Sequence, residues 1–103
     1  MQIAHAGRTR WRRNRANVRG NLAIKPLLVG RPGRPENYLA NIARSAGDYS
    51  SPRHRHNFDQ LRVVLDGRLP VTPRRTMKPG QIGYFPEGTY YGPQLDDGTG
   101  WTI

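Results

Sequence analysis

Apolar positions in this chain fall into short runs divided by glycine and proline. The clearest run is Leu61-Arg62-Val63-Val64-Leu65, β-branched and half alternating, and it stops at Asp66-Gly67. Asp-Gly after such a run predicts a strand entering a hairpin turn. Ile82-Gly83-Tyr84-Phe85-Pro86 predicts another strand, opened by a turn over 77–81 and closed by Glu87-Gly88. Thr89 to Gln94 predicts a third. Asn21 to Val29 predicts a strand near the start, which Pro26 confines to an edge or a bulge. Tyr38, Ala40 and Ile42 alternate with Leu39 and Asn41, which suits a strand over 37–44, although the Ala and Leu content also allows a short helix. Gly30 to Pro35, Ser45 to Ser51 and Thr72 to Thr76 read as connections, and Arg68 to Val71 as a short return segment. Trp101-Thr102-Ile103 reads as a strand barely begun.

Composition supports an all-β reading. Twelve glycines and nine prolines favour turns over helices, and 103 residues make one small domain. Apolar residues are only 35% of the chain, so the core is modest and a second subunit is expected to help complete it. There is no cysteine, which excludes disulfides and thiolate metal sites. No apolar run approaches the roughly 18 residues that span a bilayer. The expectation is a cytoplasmic protein with no membrane partner.

Charge divides the chain. The net charge is +10, but residues 1–19 carry Arg8, Arg10, Arg12, Arg13, Arg15 and Arg19 and no acid. The rest holds eleven basic against seven acidic residues, or +4. Residues 1–19 are therefore expected to be a basic, disordered arm, and 20–103 the folded domain. Three readings of the arm stand side by side. Its arginines suit nucleic-acid phosphates or an anionic membrane. A targeting segment is disfavoured, since no apolar stretch follows the arginines. A solvated tail, or an extension from a start codon set too far upstream, is the plainest. Nucleic acid is not the expected partner.

The candidate chemistry sits just ahead of the Leu61 run. His54 and His56 are two residues apart, and in a strand such side chains share a face. One metal ion or one polar ligand can meet both imidazoles. Gln60, four residues on, brings a side-chain oxygen to the same face. Arg62 has the same parity, whereas Leu61, Val63 and Leu65 point the other way.

The sequence His54-x-His56, three residues, Gln60, six residues, Gly67 resembles the first motif of the cupin family. Gly80, then Pro86-x-Gly88 and Tyr91, keeps every interval of the second. The resemblance covers about Leu22 to Ile103, most specifically a small single-domain type 2 cupin. It departs at two positions, with Gln60 for the usual Glu and Tyr91 for the usual His. It implies a double-stranded β-helix, or jelly-roll barrel, incomplete at its C-terminus and left with an open edge that a second subunit or a longer chain would cover. It also implies the metal ligands His54, His56, Gln60 and Tyr91, around a divalent transition metal such as Fe, Mn, Zn or Ni. Without a carboxylate or a third histidine, such a site would hold a metal weakly.

The function this suggests is a cupin-domain protein that binds a small anionic ligand, through a metal or without one. Arg62 and Tyr84 are the candidate ligand-binding residues. Arg62 either anchors a carboxylate in bidentate fashion or forms a salt bridge with Asp59, Asp66 or Glu87. Tyr90 and Tyr91 are the candidate catalytic residues, as proton donors or acceptors. If the protein is an enzyme, the resemblance implies a metal-dependent lyase, isomerase or dioxygenase. The alternatives are a non-catalytic sensor or structural barrel, and nucleic-acid association through the arm. A homodimer is expected.

Overall fold

A computed structural model describes residues 1–13, 19–96 and 98–103. The middle of the basic arm, with Arg15, and Asp97 of the last turn lie outside the described residues. Among the described residues a single 3-10 turn at Ala6–Arg8 is followed by nine strands. They are β1 (Arg12–Arg13), β2 (Arg19–Val29), β3 (Leu39–Ser51), β4 (Gln60–Gly67), β5 (Leu69–Thr72), β6 (Arg75–Met77), β7 (Ile82–Phe85), β8 (Gln94–Asp96) and β9 (Thr99–Thr102). Seven form one sheet in the order β1-β2-β3-β9-β4-β7, with β8 also on β3, and β5 and β6 pair separately. Every pairing is antiparallel. No α-helix occurs among the described residues, and none of their helices is long and apolar enough to cross a membrane.

Local chemistry explains the strand limits. Pro26 has no N–H to give to the ladder, and the β2–β3 register slips between Pro26 and Leu28. The sequence suggests a polar connection over 45–51, but β3 runs through it to Ser51. Pairing decides this: β2 borders one edge of β3, while β9 and then β8 border the other. Backbone hydrogen bonds on both sides outweigh the weak strand preference of Ser, Gly and Asp.

Two further expectations change at the C-terminal end. The run 89–94 does not form one strand. Gly92 sits at φ 86, outside the extended region, so only Gln94 continues into β8. Residues 101–102 are not an open edge either. They belong to β9, which lies between β3 and β4 and is bonded to both.

Alternation sorts the side chains of β4. Val64 is 1% exposed and packs with Leu69, Val71, Met77 and Tyr91, with Phe85 against them. Leu61 and Leu65 point outward and are exposed. The core therefore lies between β4 and the β5–β6 hairpin. Gln60 and Arg62, two and four residues before Val64, share its face and point into the same interior.

Candidate functional site

The first histidine is fixed by backbone. His54 N–H donates to the Tyr91 carbonyl at 2.9 Å, and Tyr91 N–H donates to the His54 carbonyl at 3.0 Å. This reciprocal pair is one rung of an antiparallel ladder, outside any longer strand. The His-x-His is thus an extended segment leading into β4, not part of the strand itself. Opposed residues in such a rung put their side chains on one face. The rings of His54 and Tyr91 accordingly lie 4.4 Å apart, and His56, two residues on, lies 5.1 Å from His54 edge to face.

Glycines hold the two motifs together. Gly88, at φ 78, makes the turn after Pro86, and its N–H donates to the His56 carbonyl at 2.9 Å. Gly92 follows Tyr91, and a Cβ there would stand 2.9 Å from the Pro52 carbonyl oxygen. Only glycine combines that φ with that approach.

The phenol of Tyr91 is the hub. Its side chain is 3% exposed. Its oxygen lies 2.6 Å from His56 Nε2, 2.9 Å from an Arg62 guanidinium nitrogen and 3.2 Å from Gln60 Oε1. The guanidinium also stands 5.2 Å from the centre of the Tyr91 ring. Four residues from two hairpins therefore meet at one hydroxyl.

Protonation follows from these contacts. His54 Nδ1 lies 2.7 Å from the Pro52 carbonyl, which can only accept, so Nδ1 carries a proton and donates it there. Burial, then the neighbouring His54 and Arg62, push the His56 pKa below its ordinary value. Burial pushes the Tyr91 phenol up, and the Arg62 charge only partly offsets this. Both groups are neutral at pH 7. Tyr91 O–H then donates to Gln60 Oε1, while His56 Nε2–H and Arg62 both donate to the phenol oxygen.

Arg62 is half-buried and has no carboxylate partner among the described residues. Asp59 accepts from Glu87 N–H at 2.8 Å, and Asp66 from Gly67 N–H at 2.9 Å. The salt bridge to Asp59, Asp66 or Glu87 is not formed.

Tyr84 and Tyr90 fall outside this cluster. Tyr84 pairs with Leu61 in the β4–β7 register, so it shares the outward face of Leu61 and is exposed. Its phenol is pushed above its ordinary pKa, first by desolvation and then by the neighbouring Asp59. Tyr90 is adjacent to Tyr91 and points the other way, under Arg53 at 4.4 Å and Arg55 at 5.2 Å. Two aromatic residues not singled out from the sequence do belong. Phe58 lies 4.8 Å from the His56 ring, and Phe85 lies 5.5 Å from Tyr91. The parity of 54, 56, 58, 60 and 62 is the signal that carries Phe58, and the pairing of Phe85 with Gln60 carries the other.

The donor set fits a divalent metal poorly. No three His, Cys, Asp or Glu side chains cluster among the described residues. His54, His56, Gln60 and Tyr91 are all neutral donors, and the phenol oxygen is shared with a guanidinium. A dication there would face the Arg62 charge with no carboxylate to balance it.

No family profile matches the chain, and no curated protein matches it. Solved structures do. A protein of Methylibium petroleiphilum, proposed as an acetylacetone dioxygenase, superposes with a TM-score of 0.82 at 15% identity, over 99% of this chain and 73% of its own. The complex of Rhodobacter sphaeroides SigE with the anti-sigma factor ChrR matches with a TM-score of 0.65 at 19% identity, over 95% of this chain. That match spans 48% of the neighbour's chain. The fold shared with these neighbours is the cupin-like double-stranded β-helix.

Proposed function

We propose that this cupin-like domain binds a small organic anion in the barrel, held by Arg62 beside the Tyr91–His56 pair. One observation carries the reading: a half-buried guanidinium with no carboxylate partner among the described residues, bonded to a phenol at 2.9 Å. A charge so placed is costly unless an anion completes it. A carboxylate, or the enolate of a 1,3-dicarbonyl, offers two oxygens to the guanidinium fork. Acetylacetone, named for the Methylibium petroleiphilum neighbour, ionises to such an enolate.

The chemistry available is proton transfer. His56 accepts a proton from a bound carbon or oxygen acid, and Tyr91 O–H gives one back to a developing oxyanion. Arg62 stabilises that oxyanion. These groups need no metal, so this reading is an acid–base isomerase or lyase rather than a dioxygenase. A second reading, binding without turnover, is favoured by the closed ring of hydrogen bonds around the phenol, which engages His56, Gln60 and Arg62 at once.

The test is calorimetric titration with acetylacetone, acetate, malonate and benzoate. Arg62→Met should weaken binding about tenfold to a hundredfold, the loss expected for one or two charge-assisted hydrogen bonds. Unchanged affinity would remove the reading. A metal arm runs beside it: elemental analysis of the purified protein, with His54→Ala and with chelator. Binding that disappears with chelator and persists in Arg62→Met would transfer the role to a metal. Solvent deuterium exchange into a bound ligand separates turnover from simple binding.

A further inference from the structure

A second concavity lies behind the barrel. The β-ladder fixes the faces: Val64 stands opposite Thr102, Thr102 opposite Ala43, and Ala43 opposite Ile24, all on the inner face. The neighbouring row, Arg13, Ala23, Arg44 and Trp101, is therefore on the outer one. Around it is a cavity of about 390 Å³ walled by Trp11, Arg12, Arg13 and Arg44. Its floor is apolar, from Leu22, Ala23 and Ala46.

The cations here are organised around the two indoles. The Arg44 guanidinium stands 4.8 Å from the Trp11 ring and 5.4 Å from Trp101, while the two indoles meet edge to face at 5.4 Å. Lys25 stands 4.8 Å from Trp11 on a bond to the Ala6 carbonyl. Arg12, Arg13 and Arg44 have no carboxylate partner among the described residues. Like charges this close repel, and an anion relieves the repulsion. Guanidinium forks match phosphate oxygens, and the size of the cavity suits a small organic ligand. The indole wall and alkyl floor ask for a flat apolar group attached to that phosphate.

We propose that this outer pocket binds a nucleotide, its phosphate on Arg13 and Arg44 and its base against the Trp11 wall, either as a free mononucleotide or as one residue of a single strand. The site is separate from the barrel and does not depend on what the barrel binds. It gives part of the basic arm a fixed place, since Trp11, Arg12 and Arg13 belong to that arm and β1 pairs it to β2.

The chain's only tryptophans are Trp11 and Trp101, so indole fluorescence reports on this pocket directly. The full chain is titrated with a dT12 oligonucleotide, with ATP and with inorganic tripolyphosphate, at 50 and 200 mM NaCl. Quenching by dT12 is expected, with log affinity falling on log salt at a slope near −1.4, as about two phosphate contacts to a single strand require. Arg44→Gln and Trp11→Ala should each weaken binding about tenfold. Arg13→Gln is exposed and leaves the sheet intact if either of those fails to fold, and it should flatten the slope. Competition by ATP identifies a free nucleotide as a ligand, while dT12 binding that ATP cannot displace identifies the single strand. No binding at 50 mM salt would overturn the proposal. So would tripolyphosphate competing as well as ATP with Trp11→Ala unchanged, which describes a plain anion patch.

Discussion

Tyr91 concentrates the energetics of the barrel in a single oxygen. Its hydroxyl donates to Gln60 and accepts from His56 and Arg62. Tyr91→Phe keeps the packing of the ring and strands those three groups. It should cost about 1–3 kcal/mol, the penalty for half-buried polar groups left unpaired. Urea unfolding measures this, and a loss within error of zero would mean that water replaces the phenol. Gly92 is the other residue on which the site turns. Gly92→Ala must hold a positive φ and push a methyl group towards the Pro52 carbonyl. The expected loss is about 2 kcal/mol or more, with the His54–Tyr91 rung disturbed first. Histidine ring chemical shifts of the variant check this.

At the scale of elements, the buried amide of Gln94 ties three strands. It accepts from Ser51 at 3.0 Å and from Tyr49 at 3.3 Å on β3, and it donates to the Pro70 carbonyl of β5 at 2.7 Å. Gln94→Met fills the volume and removes every one of these bonds. Thermal unfolding should show a loss of about 2–3 kcal/mol, larger than for a change at an exposed strand position. Nothing in the sequence marks this amide, where Gln94 reads only as the end of a strand over 89–94. What the sequence does carry is interval. The spacing of His54, His56, Gln60 and Arg62 sets their parity, and the second motif returns Tyr91 to the same face. Backbone competition is what it does not carry. Ser45 to Ser51 look like a loop because their side chains are polar, yet two neighbouring strands claim their N–H and C=O groups. Tyr84 and Tyr90 look like site residues by proximity in the chain. Alternation sends one outward with Leu61 and the other under Arg53.

For the whole molecule, the two neutral site groups bound a pH window. His56 titrates lower in the folded chain than in the unfolded one. The unfolded chain therefore binds more protons below about pH 6.5, and stability falls as the pH drops through that value. Tyr91 titrates higher when folded. The unfolded chain releases its proton first above about pH 10, so stability falls again there. Denaturant midpoints measured from pH 5 to 11 should form a plateau between those limits. His56→Gln should flatten the acid limb and leave the alkaline one.

β3 has neighbours along both sides over residues 43–46 and again at Ser50, and every other large piece of the sheet reaches the rest through it. Solvent deuterons should therefore arrive at its amides last, after β7, whose one bonded neighbour among the described residues is β4. A chain built this way comes apart from its rims inward, and the strand that leads into His54 would be the last to let go.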